Sequence, residues 1–235
     1  IVFSKKFFYY LYRLNYKIKL LLISLFRKNT NIKFDFSIIG GKFGQTIPTV
    51  LNSKKILQLH SYDLEESQKY KIKKKNYTVF LDEDMYNHRD YKLLNNKKYV
   101  SKIYFKEINN FFNFFEKKFK TRILISLHPR TKNIGLYKKY FNQRKCLINK
   151  SHELVSGCKY VLLHPSTTAL NLPIIYKKPL IFLTTNELLE KFELRLRAEG
   201  RKQYLNQPFI NLSNYQKHSF PENFNNIDKK GYKNY

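Results

Sequence analysis

The sequence predicts an α/β protein built on a doubly wound parallel sheet, and three features of residues 77–200 carry this prediction. Short apolar segments alternate with helix-like segments along this region. The connections between the segments are short, as in compact strand–helix units. The apolar segments are also largely continuous, without a polar residue at every second position. That pattern is typical of strands that are buried on both faces of a sheet.

The strand predictions rest on short runs of β-branched, aliphatic and aromatic residues. These runs are YTVFL at 77–81, RILISL at 122–127, KCLIN at 145–149, KYVLLH at 159–164 and PLIFL at 179–183. The clearest helix is 102–119, whose apolar residues recur at steps of three and four. Further helices are predicted at 134–141, at 151–158 with a Ser cap, at 166–177 with Ser and Thr at its start, and at 186–200 with a glycine at its end.

Residues 1–76 are predicted to form a separate, incomplete amino-terminal α/β part, and residues 77–235 the main domain with a carboxy-terminal tail. Strand candidates lie at 34–41, which ends in a Gly-Gly pair without the third glycine of a dinucleotide fingerprint, and at 54–63. The polar segment ESQKYKIKKKN, at 66–76, is interpreted as a linker that sets the domain boundary. Because the chain starts with Ile1 and ends without a clear terminal element, we expect a fragment of a longer protein.

The chain carries a net charge of +28, from 45 Lys and Arg against 17 Asp and Glu. Such a charge indicates a polyanionic partner: nucleic acid, an anionic membrane or a phosphorylated substrate. The alternative is the compositional bias of an AT-rich genome, because the chain is also rich in Asn, Ile, Tyr and Phe. The basic residues are spread over the whole chain and no RNA-binding motif is present, so no specific nucleic-acid partner is predicted.

Residues 1–28 are basic, aromatic and roughly amphipathic. One interpretation is a helix that lies on an anionic membrane face, and the other is an ordinary first helix packed on a core. The apolar run at 18–26 is shorter than the roughly 20 residues that a membrane-spanning helix needs. No secretory signal is visible, so we expect a cytoplasmic protein, with peripheral contact at the inner membrane face as one interpretation.

The two cysteines, Cys146 and Cys158, provide neither a disulfide framework nor metal-ligand spacing, which fits a reducing cytoplasm. Cys158 lies beside a predicted strand and is expected to be a small core residue. No HExxH motif, glycine-rich phosphate loop or nucleophile elbow is present. We therefore predict neither a metal ion nor a bound cofactor.

Polar residues follow several predicted strands at their carboxyl ends, where open α/β sheets bind ligands. The first such motif is His128-Pro129-Arg130, which follows the predicted strand at 122–127. Pro129 fixes the backbone after the strand and holds His128 at the rim of the sheet. His128 can donate to a phosphate or act as a general acid, and Arg130 offers a planar fork that matches phosphate or carboxylate. The alternative is a turn with a histidine that faces solvent.

A second motif follows the strand at 159–164. Ser166, Thr167 and Thr168 stand between a predicted strand and a predicted helix, where free N–H groups and the helix dipole favour an anion. This position suggests phosphate binding, whereas helix capping explains only one of the hydroxyls well. His164 either lines the same pocket or is a buried spacer.

A third motif consists of three acidic residues, 82–84, directly after the strand at 77–81. One carboxylate of Asp82, Glu83 or Asp84 could deprotonate a sugar hydroxyl, and the crowding of like charges would raise at least one pKa. Asp82 is favoured because it lies nearest the strand end. The alternative is a solvated acidic turn. A local metal or acid–base pair of His88 and Asp90 is a weaker candidate.

The motifs LHPR at 127–130 and LLHPSTTALNLPIIYKKPLIFL at 162–183 resemble the carboxy-terminal nucleotide-sugar domain of GT-B glycosyltransferases. They are most similar to bacterial surface-polysaccharide enzymes, including sialyltransferases with a His-Pro motif and a downstream hydroxyl motif. Glycerophosphate transferases of teichoic acid synthesis carry a related pattern. The resemblance covers roughly residues 77–200. It departs from the sialyltransferase pattern in having no glycine after the acidic residues and Ser-Thr-Thr in place of Ser-Ser.

The resemblance implies a Rossmann-like donor domain at 77–235 and an acceptor-side domain at 1–76. It implies that His128 contacts the donor phosphate or assists its departure, that Ser166 with Thr167 binds that phosphate, and that Asp82 or Glu83 is the base. The expected enzyme transfers a sugar, sialic acid or a related one, from a nucleotide sugar to a bacterial surface glycan or glycolipid without a metal ion. Arg130, Lys132 and the helix start at Ser166 would neutralise the leaving phosphate.

Two other interpretations stay open at this point. One is a basic nucleic-acid-binding protein, suggested by the charge and the many aromatic residues. The other is a non-catalytic, truncated α/β remnant that keeps the fold without the activity.

Overall fold

The computed structural model describes residues 34–40, 53–87, 100–215 and 227–234, together with Ile18 and Phe224. The interpretation of residues 1–28 therefore lies outside the described residues, apart from Ile18, and so does the proposed pair of His88 and Asp90.

The chain divides into two compact units, Ile1–Leu59 and His60–Tyr235. This division lies before the segment that the sequence suggested was a linker, and not at residue 76. The segment starts with the last two residues of a helix, Tyr62–Ser67, and then bonds to the rest of the second unit, since the backbone N–H of Lys75 donates to the carbonyl of Gly157 at 2.9 Å. A high density of lysine does not prevent such backbone pairing, which is why composition misplaced the boundary.

The first unit contains two parallel strands, β1 (Phe34–Gly40) and β2 (Ser53–Leu59). Both were predicted, although β2 ends earlier than expected. Large apolar side chains of these strands are exposed within the described residues, for example Phe36 at 58% and Ile38 at 67%.

Strands and helices alternate through the second unit, as the sequence predicts. The strands are β3 (Tyr77–Leu81), β4 (Arg122–Leu127), β5 (Cys146–Ile148), β6 (Tyr160–Leu163), β7 (Leu180–Thr184) and β8 (Phe209–Asn211). The helices are α1 (Tyr62–Ser67), α2 (Lys102–Phe119), α3 (Ile134–Tyr140), α4 (Ser151–Gly157), α5 (Asn171–Ile175), α6 (Asn186–Leu189), α7 (Phe192–Tyr204) and α8 (Lys229–Asn234). A 3₁₀ turn, Thr168–Leu170, precedes α5.

The strands of the second unit form one parallel sheet in the order β5-β4-β3-β6-β7-β8. Counted from the first strand of this unit, the order is 3-2-1-4-5-6, that of the doubly wound, Rossmann-like dinucleotide-binding fold. The chain builds one half of the sheet from β3 outward and then returns to β6 to build the other half. A crevice therefore opens above the carboxyl ends of β3 and β6, where sheets of this topology bind ligands. The predicted doubly wound parallel sheet is confirmed.

Two apolar layers cover the two faces of this sheet. Successive residues of β3 alternate between them, because Phe80 belongs to one layer and Val79 and Leu81 to the other. The first layer is strongly aromatic and includes the buried face of α2, formed by Tyr104, Phe105, Ile108, Phe111, Phe112 and Phe115. Since both faces are covered, the central strands need apolar residues at nearly every position, which accounts for their continuous apolar runs.

Two predicted helices are wrong in their extent. The predicted helix at 166–177 is a 3₁₀ turn followed by the five-residue α5. Such short pieces carry little aligned dipole, so the helix-dipole argument for an anion site near Ser166 does not apply. The predicted helix at 186–200 is divided into α6 and α7, and α7 continues through Gly200 to Tyr204. Cys158, by contrast, is a buried core residue as predicted.

Candidate functional site

A cavity of about 500 Å³ lies above the carboxyl ends of β3, β4 and β5. Asp82 lines it at the end of β3, residues 126–129 line it at the end of β4, and Asn149 and His152 line it after β5. The segment after β6 adds residues between 167 and 172. The cavity thus adjoins the crevice that the strand order creates, and parts of the chain that are distant in sequence meet there.

Helix α1 and the residues just after it close one side of the cavity. Tyr62, Asp63, Glu66 and Tyr70 contribute to this wall. Asn171, from α5, donates its Nδ2–H to Asp63 Oδ2 at 3.0 Å and so ties the wall to the opposite side of the cavity. The segment interpreted as a linker is therefore part of the candidate site.

His152 is fixed within the same wall by contacts on both ring nitrogens. Its Nδ1 lies 3.0 Å from the hydroxyl oxygen of Tyr176, and its Nε2 lies 3.6 Å from Asp63 Oδ1. The ring of Tyr70 stacks on the imidazole with centroids 5.8 Å apart. These contacts orient His152 as a rigid side of the cavity.

Asp82 brings a carboxylate to the cavity, and its Oδ2 has no hydrogen-bond partner. The residue is only 8% exposed. Burial raises the pKa of Asp82 to about 8, and the nearby carboxylates of Asp84 and Glu83 add to the rise, while backbone N–H groups of Asp84 and His128 oppose it. A group with this pKa exchanges its proton close to neutral pH, so Asp82 is suited to general acid–base chemistry.

Glu83 and Ser166 bring the acidic and hydroxyl motifs into direct contact. Ser166 donates its hydroxyl hydrogen to Glu83 Oε2 at 2.6 Å, and both residues are buried. The carbonyl of Ser166 also accepts from Arg197 Nη1 at 3.2 Å. Neither Glu83 nor Ser166 lines the cavity. The pair holds the loops after β3 and β6 together, and the hydroxyl hydrogen of Ser166 is already committed to a carboxylate. The third acidic residue, Asp84, accepts a hydrogen bond from the hydroxyl of Tyr137.

His128 lines the cavity, whereas Arg130 is exposed and does not. The backbone N–H of Arg130 donates to His128 Nδ1 at 3.1 Å. Nδ1 is therefore the acceptor nitrogen, so the ring hydrogen of the neutral imidazole is on Nε2. The predicted turn after the strand is present and places the histidine at the rim.

Thr167 and Thr168 both line the cavity. Thr167 caps the 3₁₀ turn, because its Oγ1 accepts from the N–H of Ala169 at 3.1 Å. A hydroxyl that accepts a capping bond still carries its own hydrogen, which can be donated to a ligand. Capping and ligand binding are thus compatible at this position.

His164 is a core residue and does not line the cavity. Its Nε2 lies 2.8 Å from the hydroxyl oxygen of Tyr104, and its Nδ1 lies 2.8 Å from the carbonyl oxygen of Leu183. Burial lowers the pKa of His164 to about 4, with the bond to Leu183 acting in the opposite direction. The structure therefore supports the buried-spacer alternative and not the expected role in phosphate binding.

The described lining of the cavity lacks the basic side chains that dominate the rest of the protein. Asp63, Glu66 and Asp82 are the ionisable acids of the lining, and no Lys or Arg is found among its described residues. Carboxylate, hydroxyl and amide groups beside tyrosine and histidine rings favour a ligand rich in hydroxyl groups over a phosphate inside the cavity. A phosphate is expected outside it, toward the exposed Arg130 and Lys132.

Sequence reasoning missed α1 and His152 as parts of the site. The segment SYDLEES contains a recognisable helix start, because Ser61 precedes the helix and Asp63 and Glu65 lie in its first turn. The Oγ of Ser61 accepts from the N–H of Leu64 at 3.3 Å, as that signal predicts. Nothing in the sequence indicated that His152 would face the same cavity.

Within the described parts of the chain, no group of three or more His, Cys, Asp or Glu side chains is arranged to hold a metal ion. None of the helices in those parts is both long enough and apolar enough to cross a membrane. The sequence matches no protein-family model, and no curated protein is significantly similar to it.

Proposed function

We propose that this protein is a glycosyltransferase that moves a sugar from a nucleotide donor to a hydroxyl group of a surface glycan or glycolipid, with the second unit acting as a GT-B donor domain. The observation that carries the proposal is Asp82, a buried carboxylate with an unpartnered oxygen and a pKa of about 8 in a cavity above the carboxyl ends of a doubly wound sheet. The resemblance of the His-Pro and hydroxyl motifs to nucleotide-sugar domains supports it.

The lining of the cavity fits a sugar. Carboxylate oxygens accept hydrogen bonds from sugar hydroxyls, and the hydroxyls of Thr167 and Thr168 can donate to ring or hydroxyl oxygens. The rings of Tyr62 and Tyr70 offer apolar faces for the C–H groups of the sugar. With the sugar inside, the donor phosphate would lie at the rim near His128.

The proposed reaction is a direct displacement at the anomeric carbon. The step starts from the ionised form of Asp82, which is a fraction of the molecules near neutral pH and the majority above pH 8. The acceptor oxygen forms a bond to the anomeric carbon as its proton passes to this carboxylate, and the bond from the carbon to the phosphate oxygen breaks with its electron pair on the phosphate. His128 would donate from Nε2 to that oxygen, and Arg130 and Lys132 would stabilise its charge. Glu83 acts through Ser166, as a positioning residue that fixes the loop carrying Asp82.

The proposal is tested by thermal unfolding with CMP, CDP, UDP, GDP and CMP-sialic acid, followed by a transfer assay with the ligand that binds. A nucleotide at about 100 times its Kd raises Tm by several degrees. His128→Ala should reduce this shift. Asp82→Asn should keep the shift and lower the transfer rate by on the order of 10²–10⁴-fold. Glu199→Gln, at an exposed acid of α7, is the matched control and should behave like wild type.

Two results would contradict the proposal. In the first, none of these nucleotides raises the melting temperature of the wild-type protein. In the second, a nucleotide binds, but Asp82→Asn transfers sugar as fast as wild type, so that the carboxylate has no part in the reaction.

A further inference from the structure

The amino ends of the strands lie at the edge of the sheet opposite the cavity, and the loops that enter β3, β4, β5, β6, β7 and β8 meet there. These loops are residues 71–76, 120–121, 141–145, 158–159, 176–179 and 205–208, and none of their residues is Asp or Glu. Their exposed cations, with the first residue of β4, are Lys71, Lys73, Lys74, Lys75, Lys120, Arg122, Lys145, Lys159 and Lys177. We call this surface the amino-end face.

The opposite edge of the sheet has a different charge. The described loops that leave the carboxyl ends contain three cations, Arg130, Lys132 and Lys150, against the three acidic residues 82–84, of which Asp82 is largely protonated at neutral pH. The net charge of these described loops is therefore small. A compositional bias toward lysine acts on both edges equally. The difference between the described parts of the two edges therefore indicates a local cause for the charge of the amino-end face.

Hydrogen bonds join the loops of the amino-end face into one surface. Asn76 donates its Nδ2–H to the carbonyl of Lys120 at 3.0 Å. The backbone N–H of Lys159 donates to the carbonyl of Tyr77 at 2.7 Å. Beside these loops lies an open depression of about 690 Å³ whose lining includes Lys120 and Arg122. The cations therefore stand side by side on backbone that is fixed by the sheet.

Two carboxylates on neighbouring helices do not neutralise this surface. Glu116 of α2 accepts from Arg144 Nη2 at 2.8 Å, and the Arg144 side chain is only 8% exposed. Glu153 of α4 lies 3.0 Å from Lys150 Nζ. The nearest cation of each acid thus lies outside the exposed set. Glu153 also interacts with Lys75 and Lys73, but two carboxylates leave most of the nine exposed cations unbalanced.

An exposed isoleucine lies within the densest part of the face. Ile72, in the run KIKKK, is 62% exposed between Lys71 and Lys73. If the partner were a nucleic acid, its hydrated phosphate backbone would offer no apolar surface, so this side chain would not contribute to binding. At a bilayer surface, it can enter the region between headgroups and acyl chains while the lysines pair with anionic headgroups. Lysine also dominates over arginine, whereas arginine is the residue preferred for recognising nucleic acids.

We infer that the amino-end face is a docking surface for an anionic lipid bilayer. Each lysine close to such a surface favours binding about fivefold, and the contact weakens as salt screens it. The inference does not depend on the proposed activity, because it uses no residue of the cavity. It also differs from the interpretation of residues 1–28, since it rests on loops of the second unit.

The test is co-sedimentation of the full chain with phosphatidylcholine vesicles that do or do not contain phosphatidylserine. The triple variant Lys71→Gln, Lys73→Gln, Lys74→Gln should bind anionic vesicles about a hundredfold more weakly than wild type. The matched control Lys102→Gln, Lys106→Gln, Lys132→Gln removes the same charge from exposed sites outside the face and should bind within about twofold of wild type. Circular dichroism checks that both variants are folded.

The Ile72→Ser variant distinguishes between a bilayer and a nucleic acid as the partner. It should weaken binding to anionic vesicles severalfold and leave any binding to an oligonucleotide of about 20 bases unchanged. At about 3.4 Å per base, this oligonucleotide is longer than a face of six strands spaced about 4.8 Å apart. Equal loss of vesicle binding in the triple variant and the control, or no loss in either, would overturn the inference. So would a wild-type protein that binds the oligonucleotide but not the vesicles.

Discussion

Replacing Asp82 by Asn should change how stability depends on pH. The folded pKa of Asp82 is about 8, against an ordinary value of 3.8, so the folded protein keeps a proton that the unfolded chain has lost. Its contribution to stability is therefore fully present below pH 4 and is lost as pH rises through 8. The amide of the Asp82→Asn variant has no such proton to lose, so the variant becomes more stable relative to wild type as pH rises.

The size of this change in relative stability follows from proton linkage. Between the two pKa values, the free energy of unfolding of wild type falls relative to Asp82→Asn by roughly 1.4 kcal/mol per pH unit. From pH 6.5 to 8.5 the relative change is about 2 kcal/mol, because the slope flattens near the folded pKa. His164 has the opposite effect, because its pKa is lowered to about 4 in the folded protein. Its contribution to the free energy of unfolding is lost as pH falls below 6.5. Both proteins share that effect, so it cancels in the difference.

Urea denaturation followed by circular dichroism at half-unit steps from pH 6.5 to 8.5 measures this difference. Urea is uncharged and leaves the electrostatics of the site unscreened. Glu199→Gln, at an exposed acid, should run parallel to wild type throughout. A difference between Asp82→Asn and wild type that is constant over this range would refute the reasoning. It would mean that Asp82 is already ionised at neutral pH and that burial does not hold its proton.

Three further substitutions test buried side-chain contacts of the second unit, each by urea denaturation. His164→Phe should destabilise the protein by about 2–4 kcal/mol without reducing nucleotide binding, because it leaves a buried hydroxyl and a buried carbonyl without partners. A double-mutant cycle of Ser166→Ala and Glu83→Gln should give a coupling of about 1–3 kcal/mol, whereas additive effects would remove the proposed link between the two loops. Arg144→Lys should cost about 1–3 kcal/mol despite keeping the charge, since a lysine cannot replace the guanidinium that bonds Glu116 and two asparagines at once. A lysine variant as stable as wild type would show that charge alone matters there.

The sheet was predictable because strands that are buried on both faces consist of continuous runs of apolar residues, which are visible in the sequence. Val79, Phe80 and Leu81 are all apolar because each of them enters one layer or the other. Short terminal elements leave no such trace. The three-residue β8 was missed, and α7 continued through a glycine that was expected to end it, since packing on the sheet outweighs the low helix propensity of one glycine.

The candidate site was predictable in position but not in the role of each side chain. Both His-Pro motifs follow a strand of the same sheet, yet His128 lines the cavity and His164 is buried in the core. Local sequence is nearly the same at the two places. The difference comes from α2, which places Tyr104 against the second histidine. A contact between residues 60 positions apart cannot be inferred from either motif alone.

The two proposed surfaces constrain each other because they lie at opposite ends of the same parallel strands. A five-residue strand such as β3 is about 17 Å long, so a bilayer at the amino-end face would leave the cavity about that far from the lipid headgroups. The cavity would then open toward water, and a nucleotide sugar would reach it without crossing the interface. An acceptor anchored in the same bilayer could present its hydroxyl only at the end of a glycan long enough to span that distance. An acceptor whose reactive sugar is attached directly to lipid would be excluded, so the length of the glycan between lipid and acceptor hydroxyl becomes the feature that this geometry selects.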